Sequence, residues 1–311
     1  MPTTPLPLLH ETSGEFAGIY TITLEQPGKS VVVLDHSLFQ RLDAALDLIP
    51  RSARGLVLRS ASERVFVAGA DLKAISELDD AALDKYLIYG SQVMGKLSQM
   101  HCPTAAAING AALGGGLELA MHCDFLIAAP GVKPYPVGLP EAGLKICPGW
   151  GGTNLFPARI DPDKAIPATA SGATMLIDQS DSTGLFDGFA STQAELIPAA
   201  MAVLIQPGNE RTAPRDGAPG HWIGRLNNPA PNARRHVAKS TIAALESVRS
   251  HLTDNDFSTP NPVASVLQAI SDGLARGWQA ALATERRELI RLRNAPAGKA
   301  AITAFLNKGK S

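Results

Sequence analysis

Five runs of apolar or β-branched residues, each bounded by Gly, Pro or Asp, punctuate the N-terminal half: 18–26 (GIYTITLEQ), 30–35 (SVVVLD), 55–60 (GLVLRS), 103–108 (PTAAAI) and 124–129 (DFLIAA). Their length and composition predict strands. Between them, apolar residues recur at helical spacing from His36 to Leu48 and from Asp79 to Met100. Strand and helix in alternation predict an α/β architecture. The pattern breaks after about Leu204. Residues 206–232 carry Gln-Pro-Gly, Ala-Pro, Gly-Ala-Pro-Gly and Pro-Ala-Pro, a composition that suits a loop or linker. Helical periodicity then resumes, which divides the chain into a core (1–205), a linker (206–232) and a helical region (233–311). In that last region Ile242, Leu245, Val263, Leu267, Ile270 and Leu274 need cover, either from their own core or from further copies of the chain, and a homo-oligomer is expected.

Composition narrows the function classes. The 311 residues are 45% hydrophobic and 18% charged, enough for one large core and a smaller appendage. Because 28 basic residues nearly balance 29 acidic ones, no global field draws in nucleic acid or an anionic membrane surface. Residues 221–311 do carry 13 Lys and Arg against 6 Asp and Glu, which reads as solvated helix faces, a ligand-phosphate site or a subunit contact. Cys102, Cys123 and Cys147 are odd in number and lie in apolar stretches without metal-ligand spacing. Neither a disulfide framework nor a metal site is expected, and a reducing cytoplasm fits. No basic start precedes an apolar run and no apolar stretch reaches membrane-spanning length, so an untargeted, non-membrane protein is expected.

Three stretches carry candidate chemistry. In Arg64-Val65-Phe66-Val67-Ala68-Gly69-Ala70-Asp71-Leu72-Lys73 a short strand enters a Gly turn and then a helical segment, and the small residues let backbone approach a ligand. In Asn109-Gly110-Ala111-Ala112-Leu113-Gly114-Gly115-Gly116-Leu117-Glu118 three glycines precede an apolar helix, whose first N–H groups lack intrahelical partners. Pro140-Glu141 and the turn Pro148-Gly149-Trp150-Gly151-Gly152-Thr153 form the third. Glu118 and Glu141 both sit among apolar residues, and buried carboxylates are costly unless paired or functional. Each glycine cluster alone is equally a tight connection. Neither the P-loop pattern nor GxGxxG is present.

Together these stretches resemble the crotonase (enoyl-CoA hydratase/isomerase) family from about Gly18 to Asp187, with a further match near the C-terminus. The resemblance implies a crotonase-like spiral of ββα units with a C-terminal helical oligomerisation region. It implies that the Ala70 and Gly115 N–H groups form an oxyanion hole for a thioester, and that Glu118 and Glu141 are the paired catalytic glutamates. It further implies that the Gly149 N–H positions water and that Ala68, Lys73, Phe305 and Lys308 contact CoA. In the family the terminal Phe and Lys reach the CoA of a neighbouring subunit. The implied partner is an acyl-CoA thioester, with coenzyme A as part of the substrate and no separate cofactor. The implied assembly is a trimer or a dimer of trimers.

Gln26-Pro27-Gly28-Lys29-Ser30 and the spacing from Asp124 to Glu141 look most like the hydratase part of the multifunctional fatty-acid oxidation protein, without room for its dehydrogenase. Retention of both glutamates favours hydration of a 2-enoyl-CoA in β-oxidation. The alternatives are 3-enoyl to 2-enoyl isomerisation with one glutamate and a non-catalytic or RNA-binding scaffold. Helix 37–48, with Asp43 and Asp47 against Arg41, does not suit RNA. Phe305 reads equally as a core anchor, and His101, His122 and Cys123 read as packing residues. Trp150 and the length of 206–232 depart from the family pattern and bear on substrate identity.

Overall fold

The computed structural model describes residues 3–180, 183–209, 218, 219, 222 and 231–308. Most of the expected 206–232 linker therefore lies outside the described residues. Ten strands are described: β1 (Leu8–His10), β2 (Ile19–Leu24), β3 (Gly55–Ser60), β4 (Val65–Val67), β5 (Thr104–Ile108), β6 (Ala111–Leu113), β7 (Phe125–Ala128), β8 (Pro136–Gly138), β9 (Thr174–Leu176) and β10 (Gly188–Phe189). The helices of the first two-thirds are α1 (His36–Asp47), α2 (Leu72–Glu77), α3 (Asp80–Gln99), α4 (Gly115–Met121), α5 (Gly152–Arg159), α6 (Pro162–Ser171), α7 (Ile177–Ser180) and α8 (Leu196–Leu204). Then come α9 (Pro231–Arg249), α10 (Asp254–Ser258), α11 (Pro262–Arg276), α12 (Trp278–Asn294) and α13 (Pro296–Lys308), with a 3-10 helix at Pro140–Leu144.

The chain forms two compact units, each drawn from three stretches. The first comprises 1–69, 92–137 and 175–220; the second comprises 70–91, 138–174 and 221–311. In the first, a six-stranded sheet has the order β1-β2-β3-β5-β7-β10. Only the β1–β2 pair is antiparallel. The parallel strands follow in register, Leu56 opposite Thr104 and Ala105 opposite Phe125. Such strands are buried on both faces, which is why their sequences read as continuous apolar runs. Ile19, Val57, Ala105, Ala107 and Ile127 pack against Leu196, Ala200, Met201 and Leu204 of α8. Each fully buried large aliphatic side chain stabilises by about 1.5–3 kcal/mol. A smaller sheet, β4-β6-β8-β9, runs β4 and β6 in parallel with an irregularity between Val65 and Val67.

The 30–35 stretch is not a strand. Leu34 N–H reaches Gly69 O and Ala68 N–H reaches Val32 O, but no ladder continues, because Asp35 caps α1 through Leu38 N–H at 2.8 Å. α1 then buries Leu38, Phe39, Leu42, Ala45 and Leu46 on one stripe. Asp43 and Asp47 on its outer side both pair with Lys96.

In the second unit the C-terminal helices supply much of their own cover. Leu245, Leu267 and Ile270 are buried, Val263 and Leu274 are half-buried, and Ile242 is exposed. Asn261 caps α11 through Val263 and Ala264, with Pro262 at the first helical position, where its missing N–H costs nothing. Several residues of the basic excess are bound in ion pairs: Arg286 with Asp84, Arg293 with Asp80, Arg276 with Asp272, and Arg287 and Arg291 with Glu288. Among the described residues no helix is long and apolar enough to cross a membrane, and no group of three or more His, Cys, Asp or Glu could hold a metal.

Candidate active site

In the first unit, pairing of β4 with β6 brings the turns that follow them side by side. Gly69, at φ +119°, lies so close that an added Cβ would sit 3.1 Å from Leu113 O and 3.9 Å from Gly115 N. At Gly116 a Cβ would meet Val67 O at 2.2 Å, and backbone cannot yield as a flexible side chain can. Glycine is thus required for this approach. Gly114, also with positive φ, caps α4, which leaves the Gly115 N–H at the first helical position without an intrahelical acceptor. Glu118 follows on α4 and is 1% exposed, among the buried Leu117, Leu119 and Ala120. Ala68 bonds to Val32, which lines a groove of about 640 Å³ together with Lys29, Ser30, Ser62 and Arg64. The sequence reading thus finds Ala68, Gly115 and Glu118 in one unit.

Ala70, Lys73, Glu141, Gly149, Phe305 and Lys308 belong to the second unit. Asp71 caps α2 by accepting from Lys73 N–H and Ala74 N–H, and Lys73 itself is exposed. α13 packs against α2 within the chain. Phe305 is 52% exposed and is no core anchor; Lys308 is exposed as well. His122 and Cys123 are buried, whereas His101 sits at the surface with a ring nitrogen 2.8 Å from Pro50 O.

Glu141 sits on the 3-10 helix, which is closed by Lys145 in the left-handed region at φ 60° and by Ile146 N–H bonding back to Glu141 O. Glu141 Oε2 is shut away from solvent and has no hydrogen-bond partner. Burial foremost pushes Glu141 well above the usual carboxylate range, against an opposing pull from its own backbone N–H, and the Glu285 carboxylate adds a smaller upward push.

Sequence reasoning missed Glu285. It lies on α12, fully buried, and accepts from Gly151 N–H at 2.5 Å, Thr153 N–H at 3.0 Å and Thr153 Oγ1 at 2.5 Å. Burial raises this carboxyl too, while the three donors pull it down. A signal was present, since Leu282, Glu285, Leu289 and Leu292 fall on one buried helical stripe. The turn it holds carries Gly149, packed against Leu289 and Leu87, and Trp150. Trp150 is buried in the unit, its Nε1–H donating to Leu87 O at 3.0 Å and its ring edge-on to Tyr86 at 5.6 Å.

A family model described as enoyl-CoA hydratase/isomerase matches residues 14–209, the greater part of the chain and all of the glycine turns and glutamates first singled out. The chain belongs to the enoyl-CoA hydratase/isomerase family. Its fold is the mixed α/β crotonase fold with a C-terminal helical region. Human mitochondrial Δ3-Δ2-enoyl-CoA isomerase is similar over 97% of this chain and 98% of its own, with TM-score 0.65 and 18% identity. An enoyl-CoA hydratase from Bacillus anthracis is similar over 94% and 93%, with TM-score 0.56 and 24% identity. DspI of Pseudomonas aeruginosa is similar over 80% and 90%, with TM-score 0.56 and 23% identity. At these identities the structures share the fold of this enoyl-CoA hydratase/isomerase family member, and its residues carry the rest.

Proposed function

We propose that the protein hydrates a 2-enoyl-CoA to the 3-hydroxyacyl-CoA. The observation that carries this reading is the retention of two carboxylates in apolar settings, Glu118 beside the Gly115 turn and Glu141 with its Oε2 shut away from solvent and its acidity weakened by burial. In this reading the Ala70 and Gly115 N–H groups take the thioester oxygen. Glu118 removes a proton from water as its oxygen bonds to C3, and negative charge collects on the thioester oxygen between the two N–H groups. Glu141 then gives its proton to C2, and the Gly149 N–H orients the water. One proton enters Glu118 and one leaves Glu141, so exchange with solvent resets the pair. A neutral acid is needed for the second transfer, and burial supplies one.

In the first unit Ala68 bonds to Val32 of the groove that carries Lys29 and Arg64, and in the second Lys73 on α2 and Phe305 and Lys308 on α13 are exposed on helices that pack together. Their exposure supports CoA contacts for Lys73, Phe305 and Lys308, the last two toward the CoA of a neighbouring subunit. Exposed Ile242 supports association of copies, for which we propose a trimer or dimer of trimers. Three buried cysteines outside any disulfide agree with a cytoplasmic setting.

Glu118→Gln and Glu141→Gln test the mechanism. With hydration followed by loss of the enoyl absorbance, each should lower kcat by about 10²–10⁴ with CoA affinity retained. Full 3-enoyl isomerase activity in Glu118→Gln, with no hydration by the wild type, would establish the one-glutamate isomerase instead.

A further inference from the structure

The turn that carries Gly149 is walled by large side chains. Trp150, the next residue, is 1% exposed; its Nε1–H donates to Leu87 O at 3.0 Å and its ring meets Tyr86 edge-on at 5.6 Å. Leu87 and Leu289 fill the space beside Gly149, where an added Cβ would lie 3.2 Å from Leu87 Cδ2 and 2.9 Å from Leu289 Cδ1. The Trp278 ring stands where a Cβ on Gly151 would go. Tyr86, Leu87, Leu289 and Trp278 are all buried, and all belong to the second unit together with Glu141. Side chains of α3 and α12 thus meet the indole of the turn itself in one packed layer.

The members of this layer differ in how easily they yield. Leucine side chains change rotamer at little cost. Trp150 is held at its polar edge by Leu87 O and along its ring by Tyr86, and the backbone just past it is tied to α12, where Glu285 accepts from Gly151 N–H and Thr153 N–H. An indole swung aside would leave its N–H without that acceptor among apolar groups, a loss that a displaced leucine does not incur. Trp150 is therefore the fixed part of the wall.

In the hydration reading the Gly149 N–H holds the water that adds to C3, so the carbon chain beyond C3 starts against this turn. An acyl chain gains affinity for each methylene it can bury, and gains none where the space is already close-packed. We propose that Trp150 is a specificity-determining residue that blocks the acyl chain a few carbons past C3, so that the preferred substrates are short-chain 2-enoyl-CoAs. The proposal rests on the hydration reading for the placing of C3, and on the packing around Trp150 for the limit on length. A longer chain must displace the indole or turn back towards water, and either course forfeits the burial of its added methylenes.

The experiment compares kcat/KM for 2-enoyl-CoAs of four, eight and twelve carbons with the affinities of butanoyl-CoA and octanoyl-CoA, saturated thioesters that bind without reacting. In the wild type, kcat/KM should fall at least about tenfold from four carbons to eight. Butanoyl-CoA should bind at least as tightly as octanoyl-CoA, although buried methylenes would favour the longer chain. In Trp150→Ala the ratio of eight-carbon to four-carbon kcat/KM should rise at least about tenfold, and octanoyl-CoA should become the tighter ligand. A merely structural tryptophan would lower turnover at all lengths alike and leave the ratio unchanged, which overturns the proposal. Should Trp150→Ala fail to fold, an unchanged ratio in Trp150→Leu overturns it in the same way. A wild type that hydrates eight- and twelve-carbon substrates as well as the four-carbon one overturns it whatever the variants do, and leaves the hydration reading standing. No hydration at any length, with the butanoyl-CoA preference of the wild type reversed in the variant, would instead keep the wall and refute the hydration reading.

Discussion

The two glycine turns differ in what fills the space where a side chain would go. At Gly114–Gly116 the neighbour is backbone, Val67 O; at Gly149–Gly151 it is side chains, Leu289, Leu87 and Trp278. Backbone carbonyls in a paired strand have nowhere to move, whereas side chains have other rotamers. The first turn is therefore fixed by the sheet, and the second is adjustable through whatever packs on it. This contrast matches the carboxylates each turn serves. Glu118 sits inside a helix behind the rigid turn, while Glu141 lies on the 3-10 helix that precedes the adjustable one, whose Gly151 and Thr153 N–H groups are held by Glu285 of α12.

Gly116→Ala gives the sharpest test of rigidity. It should cost about 3 kcal/mol or more in urea unfolding, or prevent folding, since relief requires breaking the β4–β6 pairing. A loss under about 1 kcal/mol would erase the distinction between the turns.

The pH dependence of stability comes next. A carboxyl whose folded value is raised keeps its proton while the unfolded chain has released it, so the folded state loses stability as pH climbs from about 4.5 through neutrality. Replacing Glu141 by Gln should remove that contribution. The stability difference between variant and wild type should grow with pH by at most about 1.4 kcal/mol per pH unit over this window. A difference that is flat from pH 5 to 8 would show that Glu141 is not held neutral.

The smallest effect is expected at the second turn. Gly149→Ala places a methyl 2.9 Å from Leu289 Cδ1 and 3.2 Å from Leu87 Cδ2, both ends of flexible side chains. It should cost about 1 kcal/mol. Adding Leu289→Val should recover part of this in a double-mutant cycle, an outcome unattainable if the turn were as unyielding as the first.

Much of the fold was legible where burial is uniform. β2, β3, β5 and β7 are interior parallel strands, so each reads as a short apolar run with sharp edges. SVVVLD misled because its β-branched residues met only the 68–69 stretch, too short for a ladder. β8, β9 and β10, of two or three residues each, fall below what periodicity can detect. The burial of Glu118 and of the Glu141 carboxyl was legible from their apolar neighbours. Glu285 was hidden by its company: within TERRELIRLR, positive charge dominates the composition, and only the spacing of the apolar stripe separates the inward Glu from its outward neighbours.

The interleaving of the two units has a consequence for synthesis on the ribosome. The Gly151–Thr153 donors are made early, but their acceptor is encoded 134 residues after Gly151. At about 5–20 residues per second, that interval lasts roughly 7–27 s. Until α12 emerges, the Gly151 and Thr153 donors lack the Glu285 carboxylate that accepts them. The turn that carries Gly149 thus gains its anchor late in synthesis, and a nascent chain arrested before α12 would hold those backbone donors open to water.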